Sequence, residues 1–186
     1  LNVIHRPELV PEYINTDAVE GKADDLGAKE VVGESLDIFR LQQDIAHRNG
    51  LKCTIQMTYA ALYNDDAIAL AKQYHEEYGD EIAHTFLGVN CEEFREKYGL
   101  KDPAIWLYHM DDKKRIVVDS FEHFNEVFGF YPSSTGSYYM DAELIAFIKE
   151  KYPMVKIAVA TFFEEGPKVF RHANNSLYTI MDGAPW

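Results

Sequence analysis

Three amphipathic runs in this chain each close on a glycine and give way, within a few residues, to a short β-rich run. Ile38, Leu41 and Ile45 recur at helical spacing before Gly50. A run starting at Asn64 carries Ile68, Ala71 and Tyr74 to Gly79. Val117, Phe121, Phe124 and Phe128 form one stripe before Gly129. Glycine is the common residue just past a helix because it accepts a positive φ without penalty. The β-rich runs that follow are 51–59, 80–87 and 130–139. Strands separated by helices of this length make βαβ units, and βαβ units make a parallel sheet.

The rest of the chain extends the pattern. Residues 1–5 read as a first strand, and 6–33 as a long irregular excursion rich in acids, with prolines and glycines. The helices span 35–49, 64–79 and 113–128, with Asn64 as an N-cap and Asp65 and Asp66 at the positive helix end. A short helix covers 91–98, and 105–110 fits either a strand or a helical turn. Asp141 reads as the N-cap of a further helix that ends before Pro153. The apolar run 155–163 reads as a buried parallel strand, and 176–181 as one more strand. The 186 residues suit a single domain, 1–186. The strands are too few to close a normal barrel, so the sheet is open or the chain belongs to a longer one. The absence of an initial Met leaves room for an upstream segment.

Charge narrows the partners. A net charge of -13 repels a phosphate backbone and an anionic bilayer surface, which argues against nucleic acid and membrane as partners. No apolar run reaches the roughly 20 residues of a membrane-spanning helix. Aromatics are 13% of the chain and serve either an aromatic core or sugar stacking in a cleft. Cys53 lies in a strand and Cys91 at a helix start. No C-x-x-C spacing exists, which excludes a zinc knuckle or a thiol redox motif, and no disulfide framework is implied.

In a parallel sheet the C-terminal strand ends converge, and sites gather there. Those ends carry His5, Thr58-Tyr59, His84-Thr85, residues 133–139 and Glu164-Glu165. Imidazole and carboxylate donors suit a divalent transition metal, zinc first, with His5 and His84 as the metal candidates. Each also reads as an ordinary structural histidine. Glu164 and Glu165 are candidates for a general acid/base or a nucleophile. Adjacent strand residues point to opposite faces, so at most one faces the cleft. The plain alternative is a solvated turn before Gly166-Pro167. Thr135, Ser137 and Tyr139 offer hydroxyls and a ring for polyol binding, with Tyr138 beside them. His47, His75 and His123 read as helix-face or surface residues. Asn174-Asn175-Ser176 matches a glycosylation sequon.

The order of these segments resembles the polysaccharide deacetylase superfamily. The resemblance rests on Gly50-Leu-Lys-Cys-Thr54, Gly79-Asp-Glu-Ile-Ala-His-Thr85, Gly129-Phe-Tyr-Pro132, Thr135-Gly-Ser-Tyr138 and the run 155–161, each in its place between helices. It covers roughly residues 35–165 and is nearest to the glycosidase/deacetylase-type domains of gut bacteria. It implies an α/β fold, a distorted and incomplete (β/α) barrel with parallel strands. It implies His84 as the first metal histidine and His5 in place of a metal carboxylate. Gly88 stands where the family has its second histidine, and Thr135 where it has an arginine. Tyr138 matches the residue whose backbone N–H helps bind the oxyanion. Glu164 or Glu165 lies near the family's late acidic residue. In that family a metal-bound water attacks an N-acetyl carbonyl.

Three functions follow as expectations. One is metal-dependent N- or O-deacetylation of a polysaccharide. A second is metal-free glycoside hydrolysis by Glu164 or Glu165 with a partner such as Asp111. A third is carbohydrate binding without turnover, on a degenerate barrel. All three take a poly- or oligosaccharide as partner. The resemblance implies a secreted or periplasmic setting and leaves a cytoplasmic one open.

Overall fold

The helix-forming runs fold where their apolar spacing puts them. Helix α1 (Glu34–Arg48) buries Leu36 and Phe39, and helix α2 (Asp65–Tyr78) buries Ala67, Leu70, Ala71 and Tyr74. The Asn64 side chain accepts the Ala67 N–H at 2.9 Å and so starts α2, while Gly79 stops it at φ 69°. Helix α3 (Met110–Phe128) buries Val117, Phe121 and Phe124 in full and Phe128 in part, and Gly129 ends it at φ 80°. Helix α4 (Ala142–Lys151) buries Leu144 and Ile148. This computed structural model describes residues 3–5, 34–86, 96–99, 105, 108–137, 140–159, 168–172 and 176–180.

Between the helices run β1 (Val3–His5), β2 (Cys53–Met57), β3 (Glu81–Thr85), β4 (Ser134–Gly136) and β5 (Ile157–Val159). They form a five-stranded, all-parallel sheet in the order β1-β2-β3-β4-β5. The sheet is not closed among the described residues.

That order decides the architecture. Crossovers between parallel strands are right-handed in nearly all proteins, so an order that never reverses winds every helix onto the same face. A doubly wound sheet needs a reversal. The packing agrees. Ile55 and Met57 of β2, Ile82 of β3 and Phe86 just beyond it share one face by strand parity. All of them belong to the same apolar cluster as the buried residues of α1, α2, α3 and α4. The fold is therefore an α/β segment of barrel type, a wall of parallel strands with its helices outside, as expected from the sequence.

Several boundaries differ from the sequence reading. Strand β2 stops at Met57, because the Thr58 hydroxyl accepts the Ala61 N–H at 3.2 Å and a 3-10 turn follows at Ala60–Tyr63. The expected strand 130–139 shrinks to Ser134–Gly136, with Pro132, which has no N–H to give a ladder, just ahead of it. The run 155–163 was expected as a buried strand. Its described part lies at the outer edge of the sheet, with Ile157 55% exposed. Strand β7 (Ser176–Ile180) pairs antiparallel with β6 (Lys168–His172), a strand not foreseen, in a separate two-stranded sheet. Asp141 occupies the N-cap position of α4 but makes no side-chain cap. Its carboxylate instead accepts from Lys113 Nζ at 2.7 Å, pairing a lysine side chain that is only 6% exposed. The excursion 6–33, most of 91–98 and 160–167 lie outside the described residues.

Candidate functional site

The two faces of the sheet differ in chemistry. The face turned away from the described helices carries Thr54 and Gln56 from β2, Glu81, Ala83 and Thr85 from β3, Ser134 from β4 and the exposed Ile157 from β5. A parallel sheet covered by helices on both faces reads as continuous aliphatic strands, and this face does not. At its N-terminal end Glu81 ties three strands together. Thr54 Oγ1 donates to Glu81 Oε2 at 3.0 Å, and Ser134 Oγ donates to Glu81 Oε1 at 2.8 Å. Ser133 Oγ reaches the same Oε1 at 2.5 Å. At the C-terminal end Thr85 Oγ1 donates to the Gly136 carbonyl at 3.2 Å. Gln56 Nε2, between the two ends, is buried without a partner.

His84 lies on the other face. It pairs in register with Met57 and Thr135, and its ring stands edge-on to Phe86, Phe121 and Phe124 at centroid distances of 4.5, 5.5 and 6.5 Å. Among the described residues neither ring nitrogen has a hydrogen-bond partner, and burial holds its pKa down to about 3. The ring is neutral across the physiological range. His84 belongs to no three-residue cluster of metal-ligating side chains among the described residues. His5 ends β1, in register with Ile55, and β2 separates it from the strand of His84.

Thr135 is the one predicted site residue that the structure brings beside His84. It is buried on the same face, its hydroxyl has no partner among the described residues, and it lines a cavity of about 410 Å³. That cavity is mainly aliphatic, with Met140, Ile145, Ile148 and Val155 in its walls. Ser137 is buried just past the end of β4 and also lacks a partner for its hydroxyl. Asp111 sits exposed in the first turn of α3. Tyr138, Tyr139, Glu164 and Glu165 lie outside the described residues.

A second constellation was not foreseen. At the N-terminal end of β2 and β3, His47 Nε2 donates to Asp80 Oδ2 at 2.9 Å, and the Cys53 backbone N–H donates to Asp80 Oδ1 at 2.9 Å. The two side chains are 4% and 0% exposed, so of the two readings, surface or helix face, His47 takes the helix face. His75 Nδ1 lies 2.6 Å from the Asp80 carbonyl. Tyr78 stacks on the His47 ring at 3.8 Å with an interplanar angle of 4°. One ligand-type atom from each of His47, Cys53 and Asp80 lies within 4.8 Å of the others. The Cys53 thiol is free, and burial, then the Asp80 charge, push its pKa up to about 11. The sequence held one pointer to this cluster. Cys53 alternates with Ile55 and Met57 and so had to face the helices.

No family model matches the chain, and no curated protein matches it. Among solved structures, the fold is similar to that of a Parabacteroides distasonis protein named as a candidate glycoside hydrolase/deacetylase, with a TM-score of 0.54 and 15% sequence identity. The match covers 89% of this chain and 35% of that one, so the chain spans about a third of the neighbour's length. At this identity the likeness speaks for the fold. Among the described residues, no helix is long and apolar enough to cross a membrane.

Proposed function

We propose that the chain belongs to a carbohydrate-active hydrolase and that its chemistry takes place at the C-terminal edge of the parallel sheet, on the face that none of the described helices covers. The observation that carries this reading is the polar character of that face, from Thr54 and Gln56 to Thr85 and Ser134, in a sheet wound one way. Barrel-type α/β folds place their reacting groups at that edge. The fold's likeness to a candidate glycoside hydrolase/deacetylase supports the same class. The substrate in this reading is a poly- or oligosaccharide, and the favoured reaction is N- or O-deacetylation.

Glu164 and Glu165 follow β5 in the chain and are the candidate acid/base pair of positions. Tyr138 and Tyr139 follow β4, where a backbone N–H and a ring suit an oxyanion and a sugar face. In deacetylation a divalent ion would supply the activated water. His5, the metal candidate on β1, pairs in register with Ile55 and so falls on the helix side of the sheet, off the proposed face. Thr135 and His84 lie on the helix side and in this reading join sheet to helices.

The test is an assay of the purified chain on acetylated chito- and xylo-oligosaccharides, reading acetate and new reducing ends separately. Acetate without new reducing ends is the expected result. New reducing ends alone would move the reaction to glycoside hydrolysis. Saturable binding with neither product would leave a carbohydrate-binding domain and overturn the hydrolase.

A further inference from the structure

We infer that His47, Cys53 and Asp80 form a structural site for one zinc-class divalent ion, clamping α1 to the N-terminal ends of β2 and β3. The site stands apart from the proposed hydrolase edge and does not rest on that reading. The donors are an imidazole, a thiol and a carboxylate, the set from which tetrahedral zinc sites are built. Their ligand atoms already lie within 4.8 Å of one another.

The imidazole and the carboxylate need little movement to admit an ion. Two nitrogen or oxygen ligands on one tetrahedral zinc, each at about 2.0–2.1 Å from it, lie about 3.3 Å apart. His47 Nε2 and Asp80 Oδ2 stand 2.9 Å apart, so a few tenths of an ångström opens their hydrogen bond to the metal. Asp80 keeps its second oxygen, Oδ1, on the Cys53 N–H, which orients the carboxylate. The Tyr78 stack fixes the plane of the imidazole.

The cluster also has a feature that a His–Asp hydrogen bond leaves unused: the Cys53 thiol is free and buried, with its sulfur within 4.8 Å of the ligand atoms of His47 and Asp80. On loading, the S–H bond of Cys53 breaks, the S–metal bond forms, and one proton leaves to solvent. The hydrogen that His47 Nε2 gives to Asp80 passes to Nδ1, which frees Nε2 for the metal. Affinity therefore rises with pH. Water completes the coordination. Enclosure at the end of the strands opposite the C-terminal edge marks the ion as a structural clamp.

The test uses the whole chain, stripped with chelator and titrated with Co²⁺ and then Zn²⁺. One equivalent of Co²⁺ should give a near-ultraviolet thiolate charge-transfer band that Zn²⁺ removes. The chain has two cysteines, so the band should vanish in Cys53→Ser and survive in Cys91→Ser. Zn²⁺ should raise the melting temperature of the wild type and leave that of His47→Gln unchanged. If Cys53→Ser fails to fold, the wild-type titration and the Cys91→Ser spectrum still decide. No stoichiometric band in the wild type, or a band lost in Cys91→Ser, overturns the site.

Discussion

His84 stands edge-on to Phe121, with ring centroids 5.5 Å apart and an interplanar angle of 79°. An imidazole held between the sheet and α3, with both nitrogens unpaired, resists protonation.

That burial sets a pH dependence. The folded pKa is about 3 against an ordinary value of 6.5, so below pH 6.5 the unfolded chain binds a proton that the folded chain refuses. The penalty grows by about 1.4 kcal/mol for each pH unit between those two values and is absent above pH 7. Urea midpoints should therefore fall between pH 7 and pH 5. His84→Met should flatten that fall, and an unchanged slope in the variant would assign the acid sensitivity to other groups.

Asp80 should be among the costliest polar residues to lose. Asp80→Ala leaves the Cys53 N–H and a buried His47 without their acceptor, at about 1–3 kcal/mol for each group left unsatisfied. Asp80→Asn keeps an oxygen for Cys53 and should cost clearly less. Equilibrium unfolding of both variants reads the difference.

The two cap positions should behave differently. Asn64→Ala removes an acceptor that holds the Ala67 N–H, at a cost of about 1 kcal/mol, and Asn64→Asp should restore most of it. Asp141→Ala removes no cap. Its cost comes through the buried Lys113, so Lys113→Met should rescue Asp141→Ala and do nothing for Asn64→Ala. A double-mutant cycle measures the coupling.

Gly79→Ala should destabilise by about 1–2 kcal/mol, the left-handed penalty of a residue with a Cβ. The backbone there has φ 69°. The new methyl would meet Lys52 Nζ at 2.9 Å, a flexible chain end that swings away, so the strain is mainly in the backbone. Thermal melts that match wild type would show that the turn relaxes.

Glu164→Gln and Glu165→Gln should differ sharply. Under the hydrolase proposed above, the pair reads from the sequence as adjacent strand-end positions facing opposite ways, so one substitution should cut hydrolysis by about 10²–10⁴-fold and the other should leave it near wild type. Equal effects would place the pair in a turn.

The helices and most strands were legible because their signals are local. Ile38, Asn64, Gly79 and the Val117-to-Phe128 stripe each act over a few residues, and the structure keeps them within a residue or a few of the expected ends. Ser134–Gly136 came out shorter because turn chemistry around Pro132 competes with the strand pattern. The 155–163 run misled because its apolar character says nothing about where in the sheet it lies.

Periodicity and glycine placement in the sequence alone determined a parallel α/β fold with helices between its strands. Only the tertiary structure decided which side of the sheet each histidine joined. His84 looked like the residue at an open strand end, and packing put it under Phe86, Phe121 and Phe124. His47 reads from the sequence as a helix-face or surface residue, and packing closed it over Asp80, which lies 33 residues further along the chain. Such partners meet through a parallel crossover, and the choice between faces is made by burial summed over the whole sheet.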